Sequence, residues 1–104
     1  MLPCAMSTVQ LRRYRIRPGE MEAFVAWWHG VVPVREQYGF RVLFALVDEP
    51  ADQFVWAVAH DGDFDEAERV YNASPERAAV FEGTPARIAE AFVSKVVVEH
   101  AAWA

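Results

Sequence analysis

Two neighbouring segments of the chain, residues 42–47 (VLFALV) and residues 54–59 (FVWAVA), are apolar at every position. Successive side chains of a β-strand point to opposite faces of the sheet, so a strand with one wet face alternates apolar and polar residues. Because neither segment alternates, both faces of the predicted sheet should be covered. The few helices that the sequence predicts can lie on one face. We therefore expect a second copy of the chain to cover the other face, in a homodimer.

The composition predicts one folded domain. A chain of 104 residues is near the common domain size, and a 54% hydrophobic content is enough for a core. We expect a flexible tail over residues 1–7 and a single domain over residues 8–104. No apolar run approaches the roughly 20 residues that cross a bilayer, and the N-terminal residues lack the pattern of a secretory signal. The single cysteine, Cys4, suits a reducing cytoplasm. The sequence therefore predicts a cytoplasmic protein without membrane contact.

Charge and motif spacing exclude several classes of function. The net charge of −5 and the lack of a long basic run argue against binding of nucleic acid. The three histidines lack the spacing of metal ligands, and there is no second cysteine, so no metal site is expected. The chain contains no phosphate-binding glycine motif and no GxSxG sequence. No cofactor is therefore expected.

Hydrophobic periodicity predicts the order strand, helix, strand, strand, helix, strand. The predicted strands cover residues 8–17, 40–47, 53–60 and 92–99. The first helix begins near Glu20, and Pro33 should kink or interrupt it. If it continues, Gly39 is a suitable residue to follow its end. Two further helical starts are capped by Asp63 and Ser74, and a short turn is expected over residues 84–91.

This order predicts a specific fold class. It is the α+β ferredoxin-like plait (βαββαβ), in which a four-stranded antiparallel sheet carries its helices on one face. Combined with the two-sided apolar strands, the plait is expected to pair with a second copy into a dimeric α+β barrel.

Three segments carry a resemblance to a known family. They are residues 10–24 (QLRRYRIRPGEMEAF), 31–43 (VVPVREQYGFRVL) and 68–76 (ERVYNASPE), of which the turn REQYGF at residues 35–40 is the most distinctive. The sequence resembles the NIPSNAP family, within the larger group of dimeric α+β barrel proteins. The resemblance covers roughly residues 9–98. It departs in the third strand, where relatives commonly carry a tryptophan and then a tyrosine and this chain has Val58 and His60.

The resemblance implies an architecture more than an activity. It implies that two plaits pair sheet to sheet, and that each subunit has a pocket between its sheet and its helices. Members of the NIPSNAP family are mostly uncharacterised. The related barrel proteins include cofactor-free monooxygenases, haem-degrading enzymes and isomerases.

Arg35 is the most informative single residue. If the first helix continues past Pro33, Arg35 falls on the same apolar stripe as Phe24 and Trp28. A buried guanidinium group needs either a carboxylate of the protein or an anionic or carbonyl-bearing ligand. Both readings, internal pairing and ligand binding, remain open from the sequence.

Five residues are candidates for contact with a substrate, because aromatic walls with a few polar groups are typical of small-molecule pockets. They are Tyr14, Arg35, Trp56, His60 and Tyr71. Two of them are weak catalytic candidates. His60, beside Asp61, is suited to act as a general base, and the Tyr14 hydroxyl group is suited to donate a proton. The structural explanation is packing for the tyrosines and Trp56, internal pairing for Arg35, and exposure to solvent at a strand end for His60.

Two functions of different classes follow from these observations. The first is a NIPSNAP-like homodimer that binds a small, largely apolar molecule between sheet and helices, with cofactor-free monooxygenase or isomerase activity left open. The alternative is a non-catalytic protein-interaction or assembly module. In that case Arg35 is paired internally, the interior is filled, and Trp27 or Trp103 is exposed at a protein contact.

Overall fold

The computed structural model describes residues 7–102, so the predicted tail (except Ser7), Cys4 and Trp103 lie outside the described residues. Its elements are β1 (Thr8–Ile16), α1 (Met21–Gln37), β2 (Arg41–Asp48), β3 (Gln53–His60), α2 (Phe64–Asn72), α3 (Pro75–Phe81) and β4 (Ile88–Val96). The predicted order of strands and helices is confirmed, with the Ser74 start forming the separate short helix α3. No helix within residues 7–102 is both long and apolar enough to cross a membrane.

The four strands form one antiparallel sheet in the order β2-β3-β1-β4. Tyr14 in β1 pairs with Phe54 in β3 and with Ala91 in β4, so these three positions share one face. This arrangement confirms the ferredoxin-like fold class. Pairing with a second copy stays a prediction.

Helix α1 is not interrupted at Pro33, in contrast to one expectation from the sequence. Pro33 lacks one backbone donor, but its ring is exposed and the stripe on the opposite side holds the helix against the sheet. That stripe consists of the buried residues Phe24, Trp28, Val31 and Arg35. Beyond the helix, Gly39 adopts a φ of 87°, a left-handed conformation that glycine tolerates and other residues rarely adopt. The continuous helix therefore places the Arg35 side chain in the interior.

The start of β4 differs from the prediction. A turn was expected over residues 84–91, but β4 already begins at Ile88. After α3 ends at Phe81, Thr84 closes a turn, because its backbone N–H donates to the carbonyl of Phe81 and its hydroxyl group donates to that of Val80. The edge of β1 then needs partners for its backbone groups, and residues from Ile88 onward supply them. The pairing of distant segments overrides the local turn signal.

The two faces of the sheet differ in what covers them. The helix face packs against α1, α2 and α3 and forms a buried cluster that includes Ile16, Phe54 and Val58. The opposite face, called the open face here, has its own apolar cluster, formed by Val9, Ala57 and Ala59 with partly buried neighbours. Those neighbours are Leu11, Leu43, Phe44, Val96 and Val98. Within residues 7–102, no helix residue belongs to the cluster of the open face.

Candidate functional site

A cavity of about 360 Å³ lies between the helix face of the sheet and the three helices. Its lining includes Arg12, Tyr14 and Trp56 from the sheet and Trp28, Arg35 and Tyr71 from the helices. The structure thus brings together four of the five residues that the sequence predicted as substrate contacts. They converge because β1 and β3 present alternate side chains to the same face, while α1 and α2 each present one stripe to it.

The Arg35 guanidinium group is enclosed by aromatic rings. Its central carbon lies 4.2 Å from the ring centroid of Tyr71, 4.9 Å from that of Phe40 and 5.5 Å from that of Trp56. The side chain is only 4% exposed. Burial lowers the pKa of Arg35 below its ordinary value, because removal from water disfavours the charged form. Arginine nevertheless stays protonated in proteins, so the cavity contains a positive charge with little access to water.

Glu68 is the one carboxylate among the described residues that line the cavity, and its contacts are long. Its Oε1 atom accepts hydrogen bonds from Arg35 and from Arg12, all at 3.4 Å. Its Oε2 atom accepts one from Gln10, again at 3.4 Å. Charge-assisted hydrogen bonds are ordinarily about 2.7–2.9 Å long. One carboxylate is therefore shared between two guanidinium groups at the outer limit of hydrogen bonding.

Arg12 fixes the hydroxyl group of Tyr14. The Nε atom of Arg12 donates to the Tyr14 hydroxyl oxygen at 2.6 Å, and its Nη1 atom donates to Oε1 of Gln10 at 2.6 Å. The guanidinium carbon of Arg12 also lies 5.6 Å from the ring centroid of Trp56. The Tyr14 ring is thus held at the cavity wall, with its hydroxyl group already accepting one hydrogen bond.

Four buried side-chain nitrogen atoms within residues 7–102 have no hydrogen-bond partner. They are Nε of Arg35, Nε of Arg77, and the indole Nε1 atoms of Trp28 and Trp56. All four residues line the cavity. Buried polar groups in folded proteins are nearly always hydrogen-bonded, and leaving one unpaired costs about 1–3 kcal/mol. The unpaired donors within residues 7–102 therefore all belong to residues that line one cavity.

His60 lies outside this group, unlike the other four sequence candidates. Its Nδ1 atom accepts a hydrogen bond from the backbone N–H of Gly62 at 2.9 Å, and its ring packs against Phe40. His60 is the last residue of β3, so the strand carries it beyond the cavity. No lining atom of the described cavity belongs to it. A substrate-binding or general-base role for His60 stays a prediction to which this geometry gives no support.

Trp27 is not available as an exposed contact residue. Its indole nitrogen donates to the carbonyl of Val80 at 2.9 Å, and its ring packs edge-on against Phe81 at 4.9 Å between centroids. Trp27, Phe81 and Ile88 line both the main cavity and a neighbouring cavity of about 280 Å³. Trp27 therefore holds α1 against α3 where the two cavities meet.

Sequence reasoning missed four polar residues that line the cavity, namely Arg12, Glu68, Asn72 and Arg77. Glu68 was detectable, because with Phe64 and Tyr71 it follows the helical spacing that places residues on one face. Arg12 was also detectable, because it lies two residues before Tyr14 and residues two apart on a strand share a face. Arg77 carries no such signal. Within α3 its guanidinium carbon lies 3.9 Å from the ring centroid of Phe81, and it reaches the cavity because α3 packs against α1.

Neither a protein-family model nor a curated protein matches the chain. Solved structures do match. A NIPSNAP family protein from Agrobacterium tumefaciens superposes with a TM-score of 0.77 at 16% identity, covering 88% of this chain and 91% of that one. A NIPSNAP domain protein from Burkholderia xenovorans gives a TM-score of 0.75 at 19% identity, covering 93% and 97%.

A structure with a different name is similar as well. A proposed antibiotic biosynthesis monooxygenase from Bacteroides thetaiotaomicron gives a TM-score of 0.72 at 18% identity, covering 90% of each chain. At these identities the similarity establishes the fold. The chain therefore has the ferredoxin-like α+β fold that NIPSNAP proteins share with monooxygenase-type structures.

Proposed function

We propose that the protein binds a small, largely apolar molecule in the cavity between the sheet and the helices. The observation that carries this proposal is the concentration of four unpaired buried donors, on Trp28, Arg35, Trp56 and Arg77, around one cavity. In a protein whose interior is merely structural, such groups are paired or replaced by apolar ones. A binding site, in contrast, keeps donors free for its ligand at some cost in stability.

The size and the walls of the cavity support the same proposal. Small-molecule pockets commonly have volumes of about 300–1,000 Å³ and combine aromatic walls with a few polar groups. The main cavity has about 360 Å³, and the neighbouring cavity adds about 280 Å³ next to Trp27 and Phe81. A ligand of one to three fused rings matches this space.

A cofactor-free monooxygenase or isomerase activity remains part of this proposal. Both reactions begin when a group of the protein removes a proton from the substrate. The groups at the cavity that can accept or move a proton include the Glu68 carboxylate and the Tyr14 hydroxyl, each of which is hydrogen-bonded to Arg12. The similarity to the monooxygenase-type structure supports this reaction class only through the fold.

We also propose that the open face pairs with a second copy of the chain. Two large apolar side chains on this face, Leu46 and Phe92, are 57% and 53% exposed, at opposite edges of the sheet. The apolar cluster of Val9, Ala57 and Ala59 lies on the same face, and exposed apolar surface marks interaction sites. The cytoplasmic location inferred from the single cysteine stays a prediction.

The alternative, a non-catalytic interaction module, needs a filled interior and exposed aromatic contacts. The cavity and the internal hydrogen bond of Trp27 both weigh against it. Trp103, the other contact residue considered for this alternative, lies outside the described residues.

A thermal-shift screen of metabolites tests the binding proposal. A ligand present at about 100 times its Kd stabilises a protein by about 2.7 kcal/mol, which raises the Tm of a domain of this size by about 10 °C or more. Ala91 lies at the cavity wall and is exposed, so Ala91→Trp should block the site and abolish the shift. Ala79→Trp, on an exposed position of α3 that does not line the cavity, is the matched control.

The expected result is a ligand that stabilises the wild type and Ala79→Trp but not Ala91→Trp. Two results would overturn the proposal. One is the absence of any stabilising compound in a broad screen. The other is a ligand that stabilises Ala91→Trp as strongly as the wild type.

A further inference from the structure

We propose that the ligand of this cavity is an aromatic carboxylic acid, whose carboxylate is bound by Arg35 and Arg77. The inference rests on the proposed binding function and names the chemical class of the ligand. It goes beyond that function, because a largely apolar ligand need carry no charge at all.

The charge of the lining is the first argument. Three arginines line the cavity, Arg12, Arg35 and Arg77, against the single carboxylate of Glu68. The site thus has an excess of two positive charges in a chain whose net charge is −5. Positive charge concentrated in a partly enclosed site attracts anions and raises their local concentration.

The long contacts of Glu68 are the second argument. Two exposed ion pairs elsewhere, Arg15 with Glu90 and Arg69 with Glu66, have N–O distances of 2.6 Å. The contacts of Arg12 and Arg35 with Glu68 are 3.4 Å long, although these side chains are far more buried. If Glu68 alone neutralised Arg35, this buried pair should be closer than the exposed pairs, because an unpaired charge costs more free energy away from water.

The position of the unpaired donors is the third argument. The Nε atoms of Arg35 and Arg77 both lack partners, and both guanidinium groups lie over the ring of Tyr71, at 4.2 Å and 5.8 Å from its centroid. The planar fork of a guanidinium group, Nε and one Nη, matches the two oxygen atoms of a carboxylate. Burial also lowers the pKa of Arg35, and a bound anion would offset that loss of solvation.

The walls define the rest of the ligand. Trp27, Trp28 and Trp56 line the cavity, and the indole N–H groups of Trp28 and Trp56 have no hydrogen-bond partner within the protein. Flat aromatic surfaces favour a flat ligand that packs edge-on or with an offset stack. An aromatic ring system with one carboxylate therefore matches both the charge and the walls.

Matched pairs of probes test the charge requirement. Benzoate, naphthoate and anthracene carboxylate are each compared with the amide of the same ring system, which has nearly the same shape but no charge. Titration calorimetry gives the Kd of each compound. A charge-assisted hydrogen bond adds about 1.5–3 kcal/mol, so at least one carboxylate should bind about tenfold tighter, or more, than its amide.

Two substitutions in the site should change this preference in opposite directions. Arg35→Met should reduce carboxylate binding to the level of the amide and leave amide binding unchanged. Glu68→Gln removes the only negative charge of the described lining, so carboxylate binding should become about threefold to tenfold tighter. Arg69→Met, which removes an exposed positive charge from the outer side of α2, is the matched control and should change neither.

The outcomes separate this inference from the binding function on which it rests. If none of the six probes binds, this inference is overturned, whereas the binding function is decided by the thermal-shift screen. If the amides bind as tightly as the carboxylates, the cavity is a binding site but the charge requirement is wrong, and water satisfies the free donors. Glu68→Gln provides the independent check should Arg35→Met fold poorly. Unchanged or weaker carboxylate binding in Glu68→Gln would contradict the inference.

Discussion

The two faces of the sheet differ in an opposite sense: one buries charged side chains, and the other leaves apolar side chains exposed. The helix face is covered by three helices, yet it encloses the charged side chains of Arg35 and, in part, Arg12 and Glu68. The centre of the open face is apolar, yet among residues 7–102 no helix covers it and Leu46 and Phe92 stay more than half exposed. Buried charge and exposed apolar surface both cost free energy.

The difference indicates two kinds of missing partner. On the helix face the unmet groups are hydrogen-bond donors around a cavity, which a small anionic molecule can satisfy. On the open face the unmet groups are exposed apolar side chains, among them Leu46 and Phe92, beside the apolar cluster of the sheet. The proposal therefore assigns a ligand to one side of the sheet and a second copy of the chain to the other.

The largest expected effect concerns the open face. Leu46→Asp should raise the dissociation constant of the dimer at least about a hundredfold, because an unpaired carboxylate buried at the interface costs about 3–5 kcal/mol. Val70→Asp, an equivalent change on the exposed outer side of α2, should have no effect. Sedimentation equilibrium measures both. A dimer that persists unchanged in Leu46→Asp would show that the open face is not the interface.

The next prediction separates ordinary core from binding site on the helix face. Phe64 is 3% exposed and does not line the cavity, so Phe64→Ala should lower the free energy of unfolding by about 3–5 kcal/mol. Arg35→Met should lower it by less than about 1 kcal/mol, or raise it, because an apolar side chain needs no charged partner. Urea unfolding compares the two variants. If Arg35→Met lowered the free energy of unfolding as much as Phe64→Ala, Arg35 would be a residue that stabilises the fold and not one kept for binding.

A smaller effect is expected at Tyr14. Tyr14→Phe removes the acceptor for Nε of Arg12 and should cost about 1 kcal/mol of stability, since that donor is left partly buried. Tyr38→Phe is the matched control, because its hydroxyl group bonds to the Glu76 side chain nearer the surface. It should cost less than about 0.5 kcal/mol. If both variants lost the same amount of stability, the Tyr14 hydroxyl group at the cavity would contribute no more than the Tyr38 hydroxyl group near the surface.

The smallest effect concerns the exposed carboxyl group of Asp61 and its two hydrogen-bond donors. Arg41 and Ser7 donate to Asp61, which lowers the pKa of that carboxyl group to about 2. A carboxyl group whose folded-state pKa is depressed stabilises the protein above its unfolded pKa, and this stabilisation is lost as the pH falls through about 2. Asp61→Asn should therefore lose less stability than the wild type between about pH 4 and pH 2. Identical pH profiles for the two proteins would contradict the pairing.

The sequence predicted those features of the fold and of the site that depend on the local spacing of apolar residues. The spacing of Phe24, Trp28 and Arg35 placed the guanidinium group on the inner side of α1, provided that the helix passed Pro33. Strand alternation likewise placed Tyr14 and Trp56 on defined faces. The open face followed from the apolar runs of β2 and β3 alone.

The parts that escaped prediction depend on contacts between distant segments. Ile88 starts β4 because it pairs with Ile16 of β1, and no local signal marks that pairing. Arg77 reaches the cavity because α3 packs through Phe81 against Trp27. Glu68 was marked by its helical spacing, but only the cavity shows why a carboxylate lies on that stripe.

The most direct test of the account follows the unpaired donors themselves by nuclear magnetic resonance. Nitrogen–proton spectra resolve the Nε–H groups of Arg35 and Arg77 and the indole N–H groups of Trp28 and Trp56, with assignments from single substitutions. On titration with naphthoate, or with whichever aromatic carboxylate binds, the account predicts downfield shifts of these arginine and indole signals. The backbone amide signal of Ala57, on the open face, should stay in place. Shifts confined to the open face, with the arginine Nε–H signals unchanged, would contradict the account.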